Sequence, residues 1–477
     1  MSQRASLIAL LALAGALALG AQEAIVPGDW AGTLILRSAA QSPAGSQNFS
    51  QPGAPGQGAS PENYSFNFAM HILGEDRGIT VDIPEQGMFS YPIDRYSFSD
   101  TQISLVLDTM GEGEELTLAG NYSDTFIPQG KTQRGGIVGS VKGRSWNGSF
   151  YVQRQDIPPL PGEITLDIAA DGGSLPATLT VPLHASPKLD PASPQQFPLV
   201  VLVAGAGRTD RNGNNVDVPG KTDSLKLLAQ MLRQRGVGTL RYDKRGTGEA
   251  YKLETPGQMT SFTQHVKDLA RIIASVSSLP RDGRLIVAGM NEGAWQASAA
   301  FALLKADVEV DGLVVLDASG VRPLETLEQS VENLPADLKA TALEAAHTLV
   351  STGKLIDVPQ ELANFFSPNR TAWLASWLAF DPAATLSAVK IPVLLVYGER
   401  DMQVDRAAFS KLISAAPSAA VRVVPDMNYA LKTVHSDDEN YAAFTDPSFN
   451  VPPVLADLLE AYAKAQPGPD GLLPWSP

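Results

Sequence analysis

A chain of 477 residues has room for more than one domain, and 44% hydrophobic with 18% charged residues is the composition of a folded protein that can bury a full core. The formal charge of −15 argues against nucleic acid or an anionic membrane surface as a partner, since both select basic patches, and is read as solubility. With no cysteine in the chain, disulfides and lipid attachment at a cysteine are excluded, so stability must come from packing.

Residues 1–21 read as a secretory signal peptide: Arg4 lies in a short basic region, a Leu/Ala-rich run follows at 7–19, and the small residues Gly20 and Ala21 suit cleavage. The apolar run is too short and alanine-rich to span a bilayer comfortably, so the expected location is secreted or periplasmic, with no membrane attachment once the signal is removed. Removal takes one arginine and no acid, leaving 35 basic against 51 acidic residues, a charge of −16.

Residues 28–36 open a first domain with a strand carrying Trp30. Residues 38–62, rich in Ser, Gln, Gly, Ala and Pro, are expected to be a loop with too few apolar side chains to pack. Short runs of period two follow at 64–70, 78–83, 96–98, 102–107, 115–120 and 146–152, with turn residues between them. They predict an antiparallel sheet closing toward a small barrel or sandwich over residues 22–157. The proline-dense Pro158-Pro159-Leu160-Pro161-Gly162 then marks a domain boundary.

Beyond it, 163–168 and 177–181 suggest an antiparallel pair. Continuous apolar runs at 197–204, 238–242, 285–288, 312–316 and 393–397 suggest strands buried on both faces. Helical patterns at 224–235, 262–275 and 294–304 alternate with them, which predicts a doubly wound, mostly parallel sheet with helices on both faces over residues 158–477. Residues of about 322–388 break the alternation with helical pieces alone, and are expected to form a cap over the carboxyl ends of the strands. Trp373 and Trp377, with Phe365 and Phe366, either line an apolar acyl pocket there or pack the cap onto the core.

Gly289-Met290-Asn291-Glu292-Gly293 stands between an apolar run and a helix-forming stretch, the strand, Gly-x-X-x-Gly, helix pattern of a nucleophile elbow. Together with Val203-Ala204-Gly205-Ala206-Gly207, Leu240-Arg241-Tyr242-Asp243-Lys244-Arg245-Gly246, Tyr397-Gly398-Glu399-Arg400-Asp401 and Met427-Asn428-Tyr429, it gives residues of about 163–465 a resemblance to the α/β-hydrolase superfamily. The nearest likeness is to secreted esterase, serine aminopeptidase and dienelactone hydrolase-like members. The resemblance implies an oxyanion hole from the backbone N–H groups of Glu292 and of Gly205 and Ala206, with a catalytic acid at Asp401.

It also implies serine at 291 and histidine at 429, and this chain has Asn291 and Tyr429. An amide is not a useful nucleophile, and a phenol with a pKa near 10 is a poor proton acceptor at neutral pH. Asp317 offers a second carboxylate at the sheet edge, either a displaced acid or a loop residue. His435 is the nearest substitute base, but it would require a rearranged loop and is read as a surface residue. Asp243 and Arg245 are expected to pair structurally. The acids and amides of 208–217 lack EF-hand spacing, and no phosphate loop or dinucleotide fingerprint accompanies the strands, so no metal and no cofactor are expected.

The expectation is therefore a small all-β domain followed by a capped α/β-hydrolase domain related to carboxylic-ester hydrolases. It would be a hydrolytically impaired pseudo-hydrolase that takes a small apolar or acyl-bearing ligand, Tyr429 donating a hydrogen bond to Asp401. The alternative is an active ester or amide hydrolase with an altered nucleophile and base.

Overall fold

The computed structural model describes residues 25–38, 63–74, 76–109, 114–123, 135–155, 160–183, 197–279, 283–468 and 471. The expected signal at 1–21 and nearly all of the expected loop at 38–62 lie outside them. Compactness divides the chain into two units: residues through Phe66 with Arg95–Gln155, and Asn67–Asp94 with everything from Asp156 onward. The second junction falls close to the expected 157/158 boundary, but residues 67–94, expected in the first domain, cluster with the second unit. Their polar groups are satisfied there. Ile79 N donates to the Tyr251 hydroxyl at 3.0 Å, that hydroxyl donates to Ile93 O at 3.2 Å, and Arg77 pairs with Glu249 at 3.1 Å and with Asp167.

The first nine strands are β1 (Gly28–Ser38), β2 (Asn63–Gly74), β3 (Gly78–Ile83), β4 (Met88–Pro92), β5 (Arg95–Phe98), β6 (Gln102–Thr109), β7 (Glu114–Ser123), β8 (Gly136–Lys142) and β9 (Trp146–Gln155). Within the first unit the ladder runs β1-β9-β8-β7-β6-β5, antiparallel throughout. Period-two patterning produces its inner face: along β7, Leu116, Leu118 and Gly120 are buried, while Glu115, Thr117 and Ala119 between them are exposed. In the second unit β2 pairs with β3 and β3 with β4, again antiparallel.

The remaining strands are β10 (Glu163–Ala170), β11 (Gly173–Thr180), β12 (Leu199–Val203), β13 (Gly238–Tyr242), β14 (Leu285–Met290), β15 (Gly312–Leu316), β16 (Val393–Gly398) and β17 (Ala420–Val424). They form one sheet in the order β10-β11-β13-β12-β14-β15-β16-β17. β11 pairs antiparallel with β10 and β13, and every pairing from β13 onward is parallel.

The helices are α1 (Ser224–Gln234), α2 (Phe262–Ser277), α3 (Glu292–Ala300), α4 (Pro323–Ser330), α5 (Ala336–Thr352), α6 (Thr371–Leu378), α7 (Pro382–Ser387), α8 (Arg406–Ala415), α9 (Asp437–Ala442) and α10 (Pro453–Lys464). They explain why the central strands are apolar without alternation. Leu199, Val201 and Val203 of β12 pack in one core with Leu269 and Ile273 of α2 and Ala297 of α3. Val200 and Leu202 face the opposite core, with Leu228 and Leu232 of α1 and Leu455 and Leu459 of α10. Both faces of the strand are covered, so both sets of positions must be apolar.

The insertion between β15 and β16 holds α4 to α7 and has its own apolar cluster around Ala345, Leu349, Phe366, Leu374 and Leu378. It lies against α2, with Met259 N donating to Asn369 O at 2.7 Å and Phe262 N donating to Ser376 Oγ at 2.9 Å.

Candidate active site

The parallel strands deliver the candidate residues at their carboxyl ends, where open α/β sheets place their sites. Gly205 and Ala206 follow β12, Asn291 follows β14, Asp317 follows β15 and Asp401 follows β16.

Asn291 occupies the elbow with φ 50° and ψ −117°, backbone angles that a non-glycine residue adopts only under constraint. The flanking glycines supply that constraint. A Cβ on Gly289 would lie 2.4 Å from Ala294 N, and one on Gly293 would lie 2.5 Å from Ala204 O, so neither position accepts a side chain. Asn291 N donates to Leu316 O at 2.8 Å, and Asn291 Nδ2 donates to Asp317 O at 3.1 Å. Asn291 Oδ1 faces Gly205, where a Cβ would come within 2.8 Å of it.

The backbone N–H groups of Gly205, Ala206 and Glu292 donate to no acceptor among the described residues. The loop carrying the first two is fixed from below by Lys244, whose Nζ donates to Gly205 O at 2.5 Å and Gly207 O at 2.9 Å. Lys244 is buried, and burial pulls its pKa down to about 8. The rest of the loop is braced by its own polar side chains. Asp210 Oδ1 accepts from Asn212 N at 2.8 Å and Asn214 N at 2.9 Å, and Asn214 Oδ1 accepts from Thr222 N and Asp223 N. Acids and amides of the 208–217 stretch are thus engaged in shaping the loop.

A cavity of about 190 Å³ opens here, lined by Gly205, Ala206, Thr209, Asn215, Met290, Asn291, Tyr429 and Phe444 among others. The structure therefore brings together four of the sequence-predicted residues, Gly205, Ala206, Asn291 and Tyr429. Glu292 contributes its N–H at the elbow, while its side chain is buried and accepts from Gln296 Nε2 at 3.0 Å.

Asp401 does not line the cavity. Its Oδ1 accepts from Gln403 N at 2.7 Å and Val404 N at 2.9 Å, and its Oδ2 is buried with no hydrogen-bond partner. The expected hydrogen bond from Tyr429 to Asp401 is absent. Tyr429 instead stacks against Phe444 with ring centroids 6.4 Å apart. Burial, and then the charges of Asp401, Glu292 and Asp317, hold its phenol well above the ordinary tyrosine range, so it stays protonated at neutral pH.

Asp317, read in the sequence as a displaced acid or a loop residue, is fully buried, with φ 45°. One of its oxygens accepts from Gly398 N and the other has no partner. Burial raises its pKa strongly, and the neighbouring charge of Asp401 raises it further. The sequence signal for this carboxylate was its position directly after a central strand.

One expectation is corrected here, and one pair of alternatives is met on its packing side. Trp373 and Trp377 do not line this cavity. The Trp377 ring stacks on Trp373 at 5.1 Å and faces Trp295 of α3 at 6.5 Å, so these aromatics pack the insertion onto the core. Asp243 and Arg245 do not pair with each other. Asp243 accepts from Arg211 Nη2 at 2.6 Å, and Arg245 Nε donates to Asp268 Oδ2 at 2.5 Å. His435 is exposed, 3.5 Å from Asp426, with its backbone N donating to Glu439 Oε2, and it does not line the cavity.

Burial pushes the Asp401 carboxyl up to about 6. Its proton is therefore held more tightly in the folded than in the unfolded chain, whose aspartates titrate near 4. The resulting stability is complete below about pH 4 and is lost as pH rises through about 6, a change of roughly 3 kcal/mol. Urea unfolding of the wild type should show a decline over that range, which the raised carboxyls of Asp210, Glu292 and Asp317 share, and Asp401→Asn should remove the Asp401 part of it.

A sequence profile of the serine aminopeptidase family, S33, matches residues 221–365. Esterase EstD of Thermotoga maritima is 27% identical over 269 residues, which cover 56% of this chain and 59% of the esterase, so the match spans less than two thirds of that relative. Among solved structures, Est1E from Butyrivibrio proteoclasticus is similar at 15% identity over 59% of this chain and 96% of its own, with a TM-score of 0.36. Puromycin hydrolase is similar at 15% identity over 83% of this chain and 51% of its own, with a TM-score of 0.39. The sheet order, the elbow at Asn291 and the profile match over residues 221–365 together make the second unit similar to the α/β-hydrolases.

Proposed function

We propose that this chain is an exported pseudo-hydrolase whose cavity binds a small acyl-bearing or apolar ligand without hydrolysing it. The observation that carries the reading is the pairing at one cavity of two backbone donors, Gly205 and Ala206, unengaged among the described residues, with Asn291 and Tyr429. The donors suit a carbonyl oxygen, because they are fixed before any ligand arrives. Acyl transfer additionally needs a nucleophile and a base. Asn291 offers an amide already committed to Asp317 O, and Tyr429 keeps its proton.

Size supports a small ligand. At about 190 Å³ the cavity is below the several hundred Å³ typical of drug-sized ligand sites, and the insertion's tryptophans add no wall to it. Export rests on the composition of residues 1–21, and the acidic mature chain is taken to act without nucleic acid or membrane partners.

Ala206 is exposed at the cavity wall, so a large side chain there should obstruct binding without disturbing the core. Calorimetric titration with ethyl butyrate should give saturable binding with no release of butyrate, and Ala206→Trp should weaken it about tenfold or more, a loss of roughly 1.4 kcal/mol. No binding, or binding unchanged in Ala206→Trp, refutes the proposal.

The second reading, an active ester or amide hydrolase with an altered nucleophile and base, draws on the buried and unpartnered oxygens of Asp401 and Asp317. Release of butyrate in the same titration would favour it.

A further inference from the structure

The backbone at Asn291 does more than expose a side chain. Viewed along the Cα–C bond of an L-residue, Cβ stands about 120° anticlockwise from N, so a ψ near −120° makes the next residue's nitrogen eclipse Cβ. Asn291 has ψ −117°. Helical and extended residues, with ψ of about −42° and +135°, hold that nitrogen well away from the side-chain carbonyl carbon. Here it is turned toward that carbon, which needs only a side-chain rotation to meet it. The Glu292 N–H lies in the first turn of α3 and is engaged by no acceptor among the described residues, so nothing must break at the nitrogen, and the side-chain rotation gives up the 3.1 Å hydrogen bond from Asn291 Nδ2 to Asp317 O. Asn291 also lines the cavity, which gives water a route to it.

We propose that Asn291 is a self-modification site, converted through a cyclic imide with the Glu292 backbone nitrogen into aspartate or isoaspartate. The Glu292 nitrogen adds to the Asn291 side-chain carbonyl carbon and gives up its proton. The adduct expels the amide nitrogen, which takes up that proton and leaves as ammonia. One water then opens the five-membered imide at either carbonyl, so that amide plus water becomes carboxylic acid plus ammonia. The product of normal linkage puts a carboxylate at the elbow, facing the cavity. This inference rests on the backbone torsion and the free N–H, and it stands whether or not the cavity binds an acyl ligand.

The chain carries its own controls in Asn147-Gly148 and Asn212-Gly213. In a flexible chain a following glycine is least crowded, so those two sites should convert first. Native full-length protein and protein unfolded in guanidinium chloride are incubated at the same neutral pH in heavy-oxygen water, and their peptides are followed by mass spectrometry. In the folded protein Asn291 should convert ahead of Asn147 and Asn212, about tenfold or more faster than in the unfolded chain, because the reacting groups are held in place. The product should contain isoaspartate as well as aspartate, with one heavy oxygen. If Asn291 keeps its amide as long as, or longer than, it does in the unfolded chain, the proposal fails. Aspartate without isoaspartate would mean direct attack by water, and would overturn the imide route.

Discussion

Restoring serine and histidine together, Asn291→Ser with Tyr429→His, should raise hydrolysis of p-nitrophenyl acyl esters at least about a hundredfold over the unmodified chain. The elbow presents residue 291 to the cavity, Tyr429 lines the same cavity, and the backbone N–H groups of Gly205, Ala206 and Glu292 have no acceptor among the described residues. Asp401 Oδ2 is buried without a partner and its charge acts on Tyr429, so the double variant tests whether an imidazole at 429 engages it. Each single change should gain little, since a nucleophile without its base, or a base without its nucleophile, leaves mainly the oxyanion donors and binding. Initial rates for the four chains, wild type, both singles and the double, measure this non-additivity. A double variant no faster than wild type would mean that the donors and Asp401 are not arranged for catalysis.

The second large effect concerns stability. Asp243→Ala should cost about 3–5 kcal/mol of unfolding free energy, because it leaves the buried Arg211 guanidinium without its closest partner. Arg211 and Asp243 are both buried, and Arg211 Nη2 sits 2.6 Å from Asp243 Oδ2. The same carboxylate accepts the backbone N–H groups of Arg211 and Glu249, each at 2.9 Å, so its removal also strands two donors. Glu249, 3.1 Å from Arg211 but more exposed, keeps part of the electrostatic balance and places the loss toward the lower end of that range. Urea unfolding of Asp243→Ala against wild type measures it, and Asp243→Asn should fall between them.

The hydrolase sheet was legible because burial on both faces writes an unmistakable pattern. The run at 312–316 coincides with β15, which no polar side chain interrupts, and that at 238–242 with β13, whose Thr239 and Arg241 are buried. Strands β4 and β8 were not expected. β4 contains Pro92 and Ser90 at φ 49°, and β8 has two glycines among its seven residues, so neither shows clean alternation. The site followed the same division. Motifs local in sequence, Gly205-Ala206 and the elbow, identified their own positions.

What depended on long-range packing was missed. The pairing of Asp243 with Arg211 across 32 positions and the engagement of Lys244 with the Gly205 loop 39 positions away have no periodic signature. The grouping of residues 67–94 with the second unit escaped for the same reason: the Ile79 and Ile93 contacts with Tyr251 are 172 and 158 positions apart.

The most direct measurement of the central claim is hydrolysis of p-nitrophenyl butyrate by freshly purified chain, with the amide at 291 verified by mass, beside Asn291→Ala. If the chain has kept the architecture and lost the serine chemistry, both proteins should turn over at the same rate, close to that of the ester in buffer alone. Substantial turnover by the unmodified chain that Asn291→Ala abolishes would contradict the account and make Asn291 a catalytic residue.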